Sequence, residues 1–225
     1  MSDTTLETNI FNASNIKIQS SKIINDFHNL GYGTETEVLT SLTPGSPTIG
    51  YAVDGSAGSI IFLATGTASN VATLDFNQYL NSNYDNYLVT VENMLAGNSA
   101  ANLLCLAGTG KSPDYLVSAY AGVFQNWYNG GPSRGTNATT SFGIAVSIPA
   151  TVEVLSGHIM FFNTQNPTSY KSMMCTTFYK STGAVWTTSI SNGRQTGDTA
   201  WTSLRFQMSS GNILQGTFKL YGYKN

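Results

Sequence analysis

Gly211-Asn-Ile-Leu-Gln-Gly-Thr-Phe-Lys-Leu-Tyr-Gly-Tyr-Lys-Asn225 decides the reading of this chain. It opens as a tight turn and continues as one alternating strand. Leu214, Phe218 and Leu220 fall on one face; Gln215, Thr217 and Lys219 fall on the other, because successive side chains of a strand point to opposite sides. Gly216 has inward parity, where the missing Cβ suits a bulge or a close neighbour. An apolar face backed by a polar one describes a strand half-buried in a sheet. The C-terminal segment is therefore expected to be a sheet member and not a tail.

The same period recurs upstream. Within Asp85 to Met94, Tyr87, Val89 and Val91 share one face, and Leu88, Thr90 and Glu92 share the other. Leu103 to Ala107 is a continuous apolar run, the pattern of a strand buried on both sides. Short candidate strands follow at Tyr115 to Phe124, Thr140 to Val146, His158 to Phe162, Ser172 to Tyr179 and Val185 to Ile190, separated by Gly, Asn and Ser turns. Thr202, Leu204, Phe206 and Met208 point one way just before Ser209-Ser-Gly-Asn212 turns the chain into its last strand. About ten strands without intervening helices predict an all-β fold, a jelly-roll-like antiparallel β-sandwich over residues 56–225. An immunoglobulin-type domain is excluded by length and by the missing Cys-Trp-Cys arrangement.

Residues 1–55 read differently. Ile10, Ile16 and Ile18 anchor a loosely alternating stretch. Ser20-Ser21 would then cap a short helix with Ile23, Ile24, Phe27 and Leu30 on one face, stopped by Gly31. A turn-rich connector containing Thr43-Pro-Gly-Ser-Pro47 leads onward. Such a segment is too small for a core of its own, so it is expected to act as an attachment arm that docks on a neighbour.

Composition narrows the partners. Charged residues make up 10% of the 225, against about a quarter in ordinary soluble domains. Asn, Ser and Thr fill the deficit, at about a third of the chain. A formal charge of -2 gives no electrostatic attraction to nucleic acid or to an anionic membrane. No stretch approaches the roughly 18 apolar residues of a membrane span. Met1-Ser-Asp-Thr-Thr-Leu-Glu7 lacks the basic start and apolar run of a secretory leader. Cys105 and Cys175 sit in apolar contexts and read as buried thiols, with a bridge between them left open.

Few residues offer chemistry. Ala107-Gly-Thr-Gly-Lys-Ser112 resembles a phosphate-binding loop only superficially. It has Cys105 where that loop needs its first glycine, and Ser112-Pro113 begins a turn where the loop needs a helix, so a hairpin is expected. His28 and His158 have no second histidine or cysteine at ligand spacing, and no nucleophile elbow is present. No metal or cofactor is expected. Asp75 and Asp85, at strand starts, read as turn caps; a glycosidase would need two acids at a fixed separation that sequence cannot show. Gln125-Asn-Trp-Tyr-Asn-Gly-Gly-Pro132 sets aromatics beside amides. Trp127, with Tyr128 beside it, could stack on a sugar ring while Gln125, Asn126 and Asn129 bond its hydroxyls, or the aromatics could close the end of the sandwich. Trp186 and Trp201 read as packing residues.

Three segments carry a likeness. Ser82-Asn-Tyr-Asp-Asn-Tyr-Leu-Val-Thr-Val-Glu-Asn93, Asn166-Pro-Thr-Ser-Tyr-Lys-Ser172 and the closing Leu220-Tyr-Gly222 strand resemble β domains of tailed-bacteriophage virion proteins, in tail fibres and capsid-surface proteins alike. The likeness spans residues 70–225. It implies a sandwich, usually homotrimeric, without catalytic residues, made in the host cytoplasm and located in the virion with other virion proteins as partners. A tail-fibre or adsorption component anchored by residues 1–55, with a host-surface glycan at the Trp127 loop, is the first expectation. A capsid decoration protein and a small glycan-degrading enzyme are the alternatives.

Overall fold

The computed structural model describes residues 60–128, 131–136, 140–150 and 154–224. The expected arm, with Ile10, Ile16, Ile18, Ile23, Ile24, Phe27, His28 and Leu30, lies outside them, as does Asn129. Thirteen strands follow in order: β1 (Ile60–Val71), β2 (Thr73–Phe76), β3 (Tyr84–Ala96), β4 (Ala101–Thr109), β5 (Asp114–Tyr115), β6 (Tyr120–Tyr128), β7 (Gly131–Thr136), β8 (Phe142–Ile148), β9 (Leu155–Phe162), β10 (Lys171–Lys180), β11 (Trp186–Gln195), β12 (Ser203–Met208) and β13 (Ile213–Lys224). Among the described residues there is no helix. Over the described residues the fold is all-β.

Two antiparallel sheets carry these strands. One runs β1-β13-β3-β9-β10-β11-β6-β7, and the other runs β2-β12-β4, with β5 and β8 both on the far edge of β4. Eight of them, β1 to β4, β8, β9, β12 and β13, form a double Greek key. Numbered one to eight along the chain, they are ordered 1-8-3-6 in one sheet and 2-7-4-5 in the other, the pattern of a jelly roll. The remaining strands are insertions. β10, β11, β6 and β7 extend the first sheet beyond β9 and double its width.

Alternation explains why these residues fill the core. Tyr87, Val89 and Val91 of β3 are buried, as are Leu204, Phe206 and Met208 of β12. Aromatic contacts join the layers: Phe206 of β12 meets Phe218 of β13 at 5.1 Å between ring centroids, and Phe142 of β8 meets Phe161 of β9 at 6.2 Å. Trp201, wholly buried just before β12, packs against both Phe142 and Phe161. Each such side chain contributes about 1.5–3 kcal/mol by leaving water. Cys105 and Cys175 are separate buried thiols.

The closing strand β13 lies inside the first sheet, between β1 and β3, as a sheet member. Its parity needs one correction. Phe218 and Leu220 are buried, but Leu214 is 42% exposed and Ile213 takes the inward position. The pairing with β3 slips on both sides of Gln215, and Gly216 has φ +144°. This bulge restores inward parity from Gly216 onward, so the alternation read back through it assigns Leu214 to the wrong face. Other departures are smaller. Tyr115 to Phe124 is two strands, because the chain breaks at Ala119 (φ +67°) and crosses from one sheet to the other. Ala107 to Ser112 forms the expected hairpin, turning at Gly110 (φ +74°) between β4 and β5.

Candidate functional site

The four-strand extension presents an outward face whose residues the register fixes. One row reads Thr176 (β10), Ile190 (β11), Gln125 (β6) and Arg134 (β7). A second reads Met174, Asn192, Val123 and Thr136 on the same four strands. A third reads Phe178, Thr188, Trp127 and Pro132. Side chains in adjacent register positions lie about 4.5–5.5 Å apart at Cβ, so each row is a continuous strip. Where β11, β6 and β7 meet, these rows line an open trough of about 630 Å³, with Gln125, Arg134, Asn192 and Thr136 polar and Val123 and Ile190 apolar.

Trp127 stands beside this trough, half exposed. Trp186, expected to pack inside, is 54% exposed. It stacks on Phe178 with centroids 5.1 Å apart and planes 3° from parallel, and the Lys180 ammonium lies 5.8 Å above its ring. The reason is an inverted pattern on β11. Thr187, Ser189 and Ser191 turn inward and are buried, while Trp186, Thr188 and Ile190 turn outward.

Of Asn126, Trp127, Tyr128 and Asn129, grouped by the sequence, the three among the described residues do not share one face. Trp127 faces outward. Asn126, 8% exposed, faces inward, and Tyr128 emerges on the side opposite Trp127. Asn126 and Tyr128 line a different, smaller hollow with Thr187, Ser181 and Thr182. Asn129 lies outside the described residues. Arg134 and Asn192 were missed because they sit on other strands. Gln125 stood among the amides read in that segment, and a period of two pairs it, and not Asn126, with Trp127.

Charge on this part of the sheet is one-sided. Strands β6, β7, β9, β10 and β11 contain no Asp or Glu. Arg134 is exposed in the trough, and the Arg194 guanidinium lies 5.1 Å from the ring of Tyr170. The acids elsewhere include Asp75, held by Arg205, and Glu92, held by Lys219 at 2.7 Å. His158 is exposed on the outward face of β9, between Thr90 and Thr176. The trough can therefore stack, donate and accept hydrogen bonds, but its own strands supply no carboxylate pair for glycosidic cleavage.

Comparison with known proteins adds little. No family model matches the chain, and no curated protein matches it. Among solved structures, one described as apo Crh5 transglycosylase aligns with 83% of this chain and 82% of its own at 11% identity, with a TM-score of 0.29. That superposition is too loose to carry either architecture or activity across.

Proposed function

We propose that this protein is a non-enzymatic structural component of a tailed-bacteriophage virion, an adsorption or tail-fibre module that reads a host-surface glycan. The observation carrying the glycan half is the placement of Trp127 on the outward face beside Gln125, Arg134 and Asn192. An indole offers a flat apolar surface for the C–H face of a sugar, and the amides and guanidinium supply directional bonds to its hydroxyl or acidic groups. The virion half rests on the resemblance of the three sequence segments. In this reading residues 1–55 anchor the protein to other virion proteins, and the module works as a homotrimer.

A decoration protein on the capsid is the second reading, favoured by a separate observation. At the β1 side of the same sheet an outward row of Phe62, Tyr221, Leu88, Met160 and Met174 crosses five strands, with Phe62 56% and Met174 43% exposed. A row of that composition suits contact with a protein neighbour. Antibody labelling of intact particles, viewed by electron microscopy, separates the two. Label at the tail supports adsorption; label spread over the head overturns it in favour of decoration. Label absent from purified particles overturns both.

A further inference from the structure

The hollow on the other side of β6 has a chemistry of its own. Its volume is about 280 Å³, and it lies between the end of β6, the end of β8 and the β10–β11 turn. No charged side chain lines it. Ser181 Oγ and Thr187 Oγ1 both donate to the carbonyl of Val185, at 3.2 and 3.1 Å. Their protons are spent, and their lone pairs remain. The Asn126 amide oxygen, shielded from solvent, has no hydrogen-bond partner. In register behind Asn126 stand Ser189 and then Thr177 on the same inward face, both buried. Thr177 Oγ1 is likewise unpartnered, and Ser189 helps offset the rise that burial gives the Tyr179 phenol.

Buried polar atoms are nearly always satisfied, and leaving one unpaired costs about 1–3 kcal/mol. Of these three residues Asn126 alone lines the hollow, and its unpaired amide oxygen marks a place where something else completes the bonding. The Asn126 oxygen and the remaining lone pairs of Ser181 and Thr187 are neutral acceptors, so a partner that brings donors fits them. That disfavours phosphate and carboxylate, which bring only acceptors. Tyr128, 39% exposed at the rim, adds an aromatic face. We infer that this hollow is a second binding site, distinct from the Trp127 trough, for a neutral hydroxylated ring: a single pyranose unit whose O–H groups donate to Ser181 and Thr187, and to Asn126 once its amide turns toward the hollow it lines, while its C–H face rests on Tyr128. The volume, at the lower end of small-molecule sites, holds one such unit and not a chain of them.

The test is an amide-resolved NMR titration of the full chain with methyl glycosides of glucose, galactose and N-acetylglucosamine, and separately with calcium chloride. The expected result is saturable shifts at Tyr128, Thr182 and Gly183 with a dissociation constant on the order of 1 mM for at least one sugar. Trp127→Ala should leave that response intact, and Tyr128→Ala, at an exposed rim position, should weaken it about tenfold. Absence of shifts in the hollow with all three sugars overturns the site and leaves ordered water as its filling. A response to calcium alone, or one unchanged by Tyr128→Ala, overturns the ligand class. Because the trough reports through Trp127, Gln125 and Val123, either site can fail without the other.

Discussion

Arg205 and Asp75 face each other in register across β12 and β2, joined by two parallel bonds, Nε to Oδ1 at 2.8 Å and Nη2 to Oδ2 at 2.6 Å. The same guanidinium lies 3.9 Å from the centroid of Tyr115, whose hydroxyl donates to Asn77 Oδ1 at 2.6 Å. One side chain thus ties β2 to β12 and stacks on Tyr115 of β5, at the far edge of β4. Lysine at this position would keep the charge but lose the fork and the stacking plane. Arg205→Lys should therefore cost about 1–2 kcal/mol, read as a lowered urea midpoint with an unchanged slope. An unchanged midpoint would mean that the pair behaves as an ordinary surface ion pair.

That bond was invisible in the sequence, although both residues stood in recognised strands. Asp75 read as a turn cap because sequence gives parity within a strand and not its neighbour across 130 residues. The strand content, the jelly-roll class and the inward faces of β3 and β12 were legible, since each follows from a period of two around a hydrophobic face. The failures share a cause. Trp186 was misplaced because β11 buries threonine and serine and exposes its indole, reversing the pattern on which the reading depends. The trough was missed because the four-strand extension belongs to sheet order, and no single strand's residues specify that order.

Trp127 separates recognition from packing. Its side chain is half exposed, so Trp127→Ala should change stability by no more than about 0.5 kcal/mol. If the trough reads a glycan, adsorption to host cells should weaken about tenfold or more in the same variant. Thermal unfolding and an adsorption-rate assay, measured together, decide between the roles. A large fall in melting temperature would make Trp127 a packing residue.

Alkaline pH should unfold the protein over a defined window. Burial holds the phenols of Tyr87, Tyr115 and Tyr179 up at about 12, against an ordinary 10, and raises Tyr120 as well. It lifts the Cys175 thiol to about 12 from an ordinary 9, and Cys105 well upward. In each case the folded state holds the proton more tightly than the unfolded chain. The stabilisation is fully present below about pH 9 and is lost as the pH rises toward 12, where the folded groups themselves ionise. Melting temperature should accordingly fall across that window, and both thiols should resist a disulfide reagent until the fold opens. A melting temperature flat across the window, or rapid thiol modification under native conditions, would contradict the burial.

Gly216 offers the sharpest backbone test, because its two constraints act together. Its φ of +144° lies where side chains are strained, and a Cβ there would sit 2.9 Å from the Cα of Met94 on the neighbouring strand. A backbone atom cannot swing aside as the tip of a long side chain can. Gly216→Ala must either distort β13 against β3 or remove the bulge, and removal would reverse the parity that now buries Phe218 and Leu220. The expected cost is about 2–3 kcal/mol. Gly183→Ala is the matched control: its nearest neighbour, Ser181 Oγ, is 3.8 Å away, so the change should be neutral or stabilising by up to about 1 kcal/mol. Equal midpoints for the two variants in urea would show that the bulge yields without cost. A selective loss at Gly216 would fix it as the point that sets the register of the closing strand.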